Sequence, residues 1–347
     1  MSTATALFNV SSRTVLNKRT KSISVSALLN EADSDCTWIT KDGAHICIGG
    51  KGDVVKGPKK LVGQTIKKDI APKYDTSKAP TRELGPHETT KEAFYNDGTK
   101  EWNASRAAYH DQVIQQTIGD AVAPKGQPTA VILGGGTASG KTTATRQFMH
   151  DDKNTVVVDP DTLKLAIPEY SKLKATDPQY AAARVHEESS MLTKGLLART
   201  IANGLNFVYD TTTSGNGGPQ LVKTLLAHGY KVEANFVDIP ISTAVSRAAT
   251  RAKESTDPVN RGRNVPLDII YGSHTGAARA FMGLKDLKGI SVVRLLDNTG
   301  KEAKVVYERS GNKVTINDRQ FWNRYKRKAQ GIAEALFYQS YGDQGRR

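Results

Sequence analysis

Residues 129–146 read TAVILGGGTASGKTTATR, an apolar run that empties into glycines. Ala130, Val131, Ile132 and Leu133 are enough for one buried strand and too few for a helix. The ten residues from Gly134 to Thr143 fit G-x-x-x-x-G-K-[ST], with Gly135 and Gly140 as the fixed glycines. Thr143 to Met149 then reads as the helix that such a loop opens. Glycines let backbone N–H groups curl around phosphate oxygens, and a helix N-terminus adds partial positive charge. Gly135, Gly136, Thr137, Ala138, Ser139, Gly140, Lys141, Thr142 and Thr143 are therefore expected to cradle the phosphates of ATP or GTP. Lys141 would reach the β- and γ-phosphates, and the Thr142 hydroxyl would ligate Mg²⁺.

After the loop, strand and helix patterns alternate. The run from 155 to 158 is a second buried strand, followed by Asp159-Pro160-Asp161-Thr162-Leu163-Lys164 and then Pro168-Glu169-Tyr170. Carboxylates at the carboxyl end of a strand lie where α/β sheets bind ligands. Asp159 and Asp161 thus read either as proton acceptors for an attacking hydroxyl or as caps of the next helix, with Asp159 also a candidate substrate contact. A long helix is predicted over 179–203, with Val185, Met191/Leu192, Leu196/Leu197 and Ile201 on its core side. His186, Glu187 and Glu188 sit on or near its ligand-facing side. A third strand over 205–213 carries Asp210 at a Walker B-like position, a candidate Mg²⁺ ligand and substrate contact, with Thr212 close behind as a further candidate substrate contact.

Further on, the spacing predicts a helix over 219–228, a strand over 231–237, and a helix over 241–253 bearing Arg247 and Arg251. An arginine-rich loop with Arg261 and Arg263 follows. Then come a fifth strand over 290–296, a hairpin over 304–316 turning at Ser310-Gly311-Asn312, and a terminal amphipathic helix over 318–338. Alternation of this kind implies an α/β P-loop NTPase/kinase fold, a parallel sheet covered by helices on both faces.

The 347 residues carry 49 Lys and Arg against 35 Asp and Glu, a formal charge of +14, which points to acidic partners such as nucleotides or nucleic acid. The densest basic group, Arg324, Lys326, Arg327 and Lys328, reads as a solvated helix face. No run approaches the roughly 18 apolar residues of a membrane span, so no membrane contact is expected. Cys36 and Cys47 are the only cysteines and lack metal-ligand spacing, so a reducing cytoplasm is the expected compartment.

Residues 1–86 read as a basic extension. The first 30 carry Arg13, Lys18, Arg19 and Lys21 with no acidic residue before Glu31. That composition overlaps an organelle transit peptide, but a plain basic arm is preferred. Two alternating runs around Lys41-Asp42-Gly43 predict a hairpin at about 37–49, and a linker follows. Regular structure resumes near His87 with a helix expected from Lys100 to Ala121, capped by Asn103 or Ser105. The expected boundary therefore divides an extension, 1–86, from a nucleotide domain, 87–347.

The ordered motifs resemble those of the zeta-toxin kinases, P-loop enzymes that phosphorylate the sugar 3′-hydroxyl of UDP-N-acetylglucosamine. The matching pieces are S-R-A-A-Y-H-D before the first strand, G-G-T-A-S-G-K-T-T, V-V-D-P-D-T-L-K-x-x-I-P-E-Y, V-H-E-E-S-S, F-V-Y-D-T-T-T, and R-A-A-T-R with G-R-N-V-P. The resemblance implies that Asp161 accepts the proton of the attacking hydroxyl and that Glu187 holds the nucleotide-sugar substrate. It also implies that Asp210 is the acidic group after the third strand, while Arg251 and Arg263 close over the phosphates. An antitoxin partner is implied as well. Asp210 stands where glutamate is frequent and Leu163 where an aromatic is common. Trp38-Ile39-Thr40-Lys41-Asp42-Gly43-Ala44-His45 is similar to the W-[IV]-T-x-[DN]-G-x-H hairpin of phage head-morphogenesis proteins. The alternatives are a P-loop kinase for another hydroxyl or a polynucleotide end, and a phage virion or nucleic-acid-associated protein with a secondary kinase domain.

Overall fold

The computed structural model describes residues 74–145, 154–211, 217–255, 261–262 and 265–331, plus the backbone of three strands at 22–23, 37–41 and 44–48. Those three, β1 (Ser22–Ile23), β2 (Thr37–Lys41) and β3 (Ala44–Ile48), form an antiparallel sheet in which β2 and β3 pair as the predicted hairpin. The remainder of the basic arm and most of the linker lie outside the described residues.

Residues 74–86 run along the body of the protein. The Tyr74 hydroxyl lies 3.2 Å from that of Thr117, and Ala79 and Leu84 pack on the core. Thr89 caps the short α1 (Thr90–Phe94) with a reciprocal capping box to Glu92, satisfying two otherwise orphaned amides. Trp102, expected in a helix, instead lies in a two-stranded ribbon, β4 (Tyr95–Asn96) with β5 (Glu101–Trp102). The Asn96 side chain accepts from Gly98 N and Thr99 N and closes that turn. α2 (Ala104–Ile118) starts one residue later than its cap, Asn103, whose side chain accepts from Arg106 N at 2.8 Å.

The central sheet has seven strands. In chain order they are β6 (Thr129–Gly135), β7 (Thr155–Val158), β8 (Asn206–Asp210), β9 (Lys231–Asp238), β10 (Val292–Asp297), β11 (Lys304–Ser310) and β12 (Lys313–Ile316). Their spatial order is β12-β11-β10-β9-β6-β8-β7. The five from β7 to β10 are parallel, and the β11–β12 hairpin continues the sheet antiparallel at one edge. The hairpin turns through Gly311 at φ 58°.

Alternation sorts the sheet's two faces. Ala130, Ile132, Val156, Val158, Phe207, Val232, Ala234, Phe236, Val293 and Leu295 point into the principal core. Helices α2, α7 (His186–Ala202), α8 (Gly217–Ala227), α10 (Leu267–Leu284) and α11 (Arg319–Ala329) cover that face. On the opposite face Val131, Leu133 and Val208 cluster, and Val237 and Leu296 pack against Ala144 of α3 (Lys141–Thr145), the helix opened by the glycine loop. The predicted helix over 179–203 is broken at Val185, leaving α6 (Ala181–Arg184) ahead of α7. Arg184 reaches back from the break to the carbonyls of Glu88 and Gly85. No helix of the described residues is long and apolar enough to cross a membrane.

Candidate active site

Strand order places β6 between β8 and β9, so the glycine loop leaves the sheet flanked by the last residues of both, Asp210 and Asp238. The loop itself needs its glycines. Gly135 sits at φ 148°, and a Cβ there would lie 2.5 Å from the Val237 carbonyl oxygen. A Cβ on Gly136 would fall 2.1 Å from the His274 ring. Ala138 adopts φ 60°, a left-handed turn that a non-glycine residue takes only under surrounding constraint, and the alternation of hands builds a concave nest of amides.

Lys141, the first residue of α3, lies with Nζ 3.4 Å from the Gly135 carbonyl and 3.5 Å from Asp210 Oδ1. The ammonium is thus bridged across the loop mouth and available to a phosphate. Thr143, two residues further along the helix, is exposed. The side chain of Thr142 lies outside the described residues, as do Thr212 and Arg263.

Across from Lys141, β7 delivers the two aspartates. Asp159 caps α4 (Pro160–Leu163): its carboxylate accepts from Asp161 N at 2.9 Å and from the Thr162 hydroxyl at 2.6 Å. Burial, with the nearby carboxylates of Asp210 and Asp161, pushes the Asp159 carboxyl up to about 7. Asp161 is 38% exposed, and its Oδ1 accepts from the buried Lys164 ammonium at 2.5 Å. The two aspartates thus share a short turn: one is turned into the turn as cap, the other outward at the mouth.

Glu187 and Glu188 separate sharply. Glu187 is 53% exposed in the first turn of α7, 3.9 Å from Lys91. Glu188, expected near the ligand side, turns inward instead. It is fully buried beside Arg106, which donates to both its oxygens at 2.7 and 3.0 Å, and His110 contacts it at 2.6 Å. Burial alone would raise this carboxyl, but His110 and Arg106 outweigh it and hold it down at about 2. Arg106 also donates to Glu169, in α5 (Pro168–Thr176), at 2.7 Å, and to the Pro80 carbonyl. One guanidinium thereby joins α2, α5 and α7, and so sets the direction in which Glu187 projects.

Arg247 and Arg251 lie on α9 (Ile241–Glu254), where Arg251 is half-buried in the last turn. Arg247 donates to the Asn298 carbonyl at 2.9 Å. Asn298 in turn donates its side-chain amide to the Ser139 carbonyl at 2.8 Å.

Sequence reasoning missed α10 altogether. Its segment, LDIIYGSHTGAARAFMGL, holds three glycines and almost no charge, a weak helix former that tertiary packing alone sustains. Its Ser273 hydroxyl accepts from Thr137 N at 3.0 Å, and His274 Nε2 donates to the Thr137 carbonyl at 2.9 Å. The reading of Lys328 as a solvated lysine is also corrected. It is buried, with Nζ 2.8 and 3.0 Å from the two oxygens of Asp238 and 2.9 Å from the Ile239 carbonyl. A helical wheel puts Lys328 among basic neighbours, and only the docked helix brings a buried carboxylate to it.

The profile of a family described as Zeta toxin matches residues 114–312, more than half of the chain. A protein named Toxin zeta, from Enterococcus hirae, is 29% identical over 115 residues, which are 33% of this chain and 40% of that protein. The match therefore spans less than half the length of that relative. A solved AvrRxo1-ORF1:AvrRxo1-ORF2 complex contains a chain that is similar with a TM-score of 0.57 at 19% identity, covering 70% of this chain and 82% of that one. The same complex described as bound with ATP gives 0.55 at 17% identity, covering 69% and 82%. At such identities the structural likeness concerns the fold. The glycine loop on a central parallel strand, the flanking carboxylates and the family profile over the same residues place this chain in the zeta toxin family.

Proposed function

We propose that this protein is an ATP- and Mg²⁺-dependent kinase that phosphorylates a sugar hydroxyl, the 3′-hydroxyl of UDP-N-acetylglucosamine or of a similar nucleotide sugar. The observation that carries the reading is the placement of Lys141, at the start of the helix after the glycine loop, 3.5 Å from Asp210 at the end of β8, with Asp159 just past the end of the neighbouring parallel strand β7 and close enough to Asp210 to feel its charge. The phosphate loop and the solved relative described with ATP support the nucleotide, and the family resemblance supports the sugar nucleotide.

The donor set fits Mg²⁺. The Thr142 hydroxyl and the Asp210 carboxylate are hard oxygen ligands, and Mg²⁺ is usually held by one or two carboxylates and substrate phosphates, not by an all-protein cage. Bound ATP·Mg²⁺ would supply the transferable phosphoryl group and neutralise charge on its oxygens.

The chain's own residues supply positioning and charge. The loop amides and Lys141 hold the phosphates. Arg251 and Arg263 would add positive charge over the transferring group. Asp161, turned outward, would accept the hydroxyl proton, while Asp159 shapes the turn that presents it. Glu187 would orient the acceptor from the first turn of α7. Phosphoryl transfer asks for little else, because most of its catalysis is alignment and electrostatic stabilisation. A toxic kinase of this kind would need a neutralising antitoxin as its partner.

The test is transfer of labelled phosphate from ATP to a panel of nucleotide sugars, free sugars and a 5′-hydroxyl oligonucleotide, with Lys141→Ala as the background. Transfer confined to UDP-N-acetylglucosamine and close analogues is expected. Transfer to the oligonucleotide alone, which the +14 charge would favour, replaces the acceptor. No transfer above the Lys141→Ala background refutes the kinase reading.

A further inference from the structure

Every peptide of the phosphate loop has two ends, and the supports beneath the loop act on specific ones. In a planar trans peptide the carbonyl and the following N–H point in opposite directions. The Thr137 carbonyl is taken by His274 Nε2 at 2.9 Å, so the N–H of Ala138 faces the other way. The Ser139 carbonyl is taken by the Asn298 side chain at 2.8 Å, so the N–H of Gly140 does the same. The amides of Thr137 and Ser139, by contrast, are spent within the scaffold, on Ser273 and on the Gly136 carbonyl.

Both supports converge on one residue. Asn298 donates its backbone N–H to the Asp238 carbonyl at 3.1 Å. His274 Nδ1 lies 3.5 Å from the Asp238 carboxylate, longer than a formed hydrogen bond and attractive when the imidazole carries its second proton, since Nε2–H is already given to Thr137. Burial would raise the Asp238 carboxyl, but the Lys328 ammonium and His274 outweigh it and hold it below its usual range. His274 is wholly buried, and Asp238 and Lys328 nearly so. Asp238 ends the strand next to β6, so this anchor shares the rigid sheet with the loop.

We propose that Asp238, locked by Lys328 of the last helix, acts through His274 and Asn298 as positioning residues that aim the Ala138 and Gly140 amides into the phosphate cradle. The inference rests on the nucleotide-binding reading above and extends it. A peptide released from either support could flip and present a carbonyl to the phosphates, replacing attraction with repulsion. Gly136 fits the same design, because its missing Cβ is what lets the imidazole lie against the loop.

The test is calorimetric titration of ATP with Mg²⁺ into the full chain, alongside melting without nucleotide. His274→Ala should weaken ATP binding by roughly tenfold or more, the scale of one well-placed hydrogen bond. His274→Gln, whose amide can donate to the same carbonyl, should bind within about threefold of wild type. A structural role alone would be read in the melting temperature without this rescue of affinity. Asn298→Ala leaves the buried ion pair intact and should also weaken ATP binding by roughly tenfold. It decides the matter should His274→Ala fail to fold. Wild-type affinity in His274→Ala or Asn298→Ala, or a Gln variant no better than Ala, overturns the proposal. A wild type that binds no ATP would instead refute the nucleotide-site reading on which it rests.

Discussion

Replacing Asp159 with Asn should change how the protein's stability depends on pH. In the folded chain burial and the carboxylates of Asp210 and Asp161 raise this carboxyl to about 7, from 3.8. Between those values the native state binds more protons than the unfolded state, so stability falls as pH rises through the window. By pH 5 the unfolded carboxyl is already ionised, and the remaining interval to about 7 is two pH units. At 1.36 kcal/mol per unit, that is a ceiling of about 3 kcal/mol. The side chain keeps some solvent contact, so about 1–3 kcal/mol is the expected loss in wild type between pH 5 and pH 8. Asp159→Asn removes the titration. Its remaining oxygen can still cap Asp161 N, and the weakened contact to Thr162 costs the same at both pH values. Urea unfolding of both proteins at pH 5 and pH 8, without nucleotide, isolates the contribution of Asp159 and the carboxylates coupled to it, because the titrations of groups that do not interact with Asp159 cancel between them. The variant should be less stable than or equal to wild type at pH 5 and gain on it by pH 8. Parallel pH dependences would refute the argument that Asp159 carries a buried, repelled charge.

Other outcomes follow from the same geometry. Lys141→Ala should lower turnover by about a hundredfold or more while leaving the melting temperature nearly unchanged, since the proposed role of Lys141 is to meet the phosphates at the loop mouth and not to pack in the core. Single-turnover kinetics of Asp161→Asn should show a fall of roughly a hundred- to ten-thousand-fold with substrate affinity little altered, because Asn can hydrogen-bond the hydroxyl but cannot take its proton. Arg106→Met strands Glu188 and Glu169 in the core and should cost about 3–5 kcal/mol in chemical unfolding, the usual result of leaving a buried charge unpaired. Removing residues 1–73 should spare the melting temperature. Removing 1–86 should lower it by about 5 °C or more, since that cut also takes the Tyr74, Pro80 and Gly85 contacts to Thr117, Arg106 and Arg184.

The sequence by itself determined the class of the fold and the place of the glycine loop within it. Apolar runs of four to seven residues ending in Gly135, Asp159 and Asp210 mark buried strands with functional groups at their carboxyl ends, because strand period and turn chemistry are local properties. The hairpin at 304–316 was legible for the same reason, its turn requiring a residue such as Gly311 at positive φ. What tertiary structure decided is which side chains stand beneath the loop and which are left facing solvent. Of two adjacent glutamates, 188 is drawn inward by a guanidinium 82 positions away, and 187 is left outside. Lys328 leaves the solvated face assigned to it because Asp238, 90 residues distant, offers a buried partner that outweighs its desolvation. α10 has little propensity of its own and forms because the sheet gives its apolar side a surface. Its Ser273 and His274 then reach the loop across more than 130 residues of chain, a distance over which no periodicity carries information.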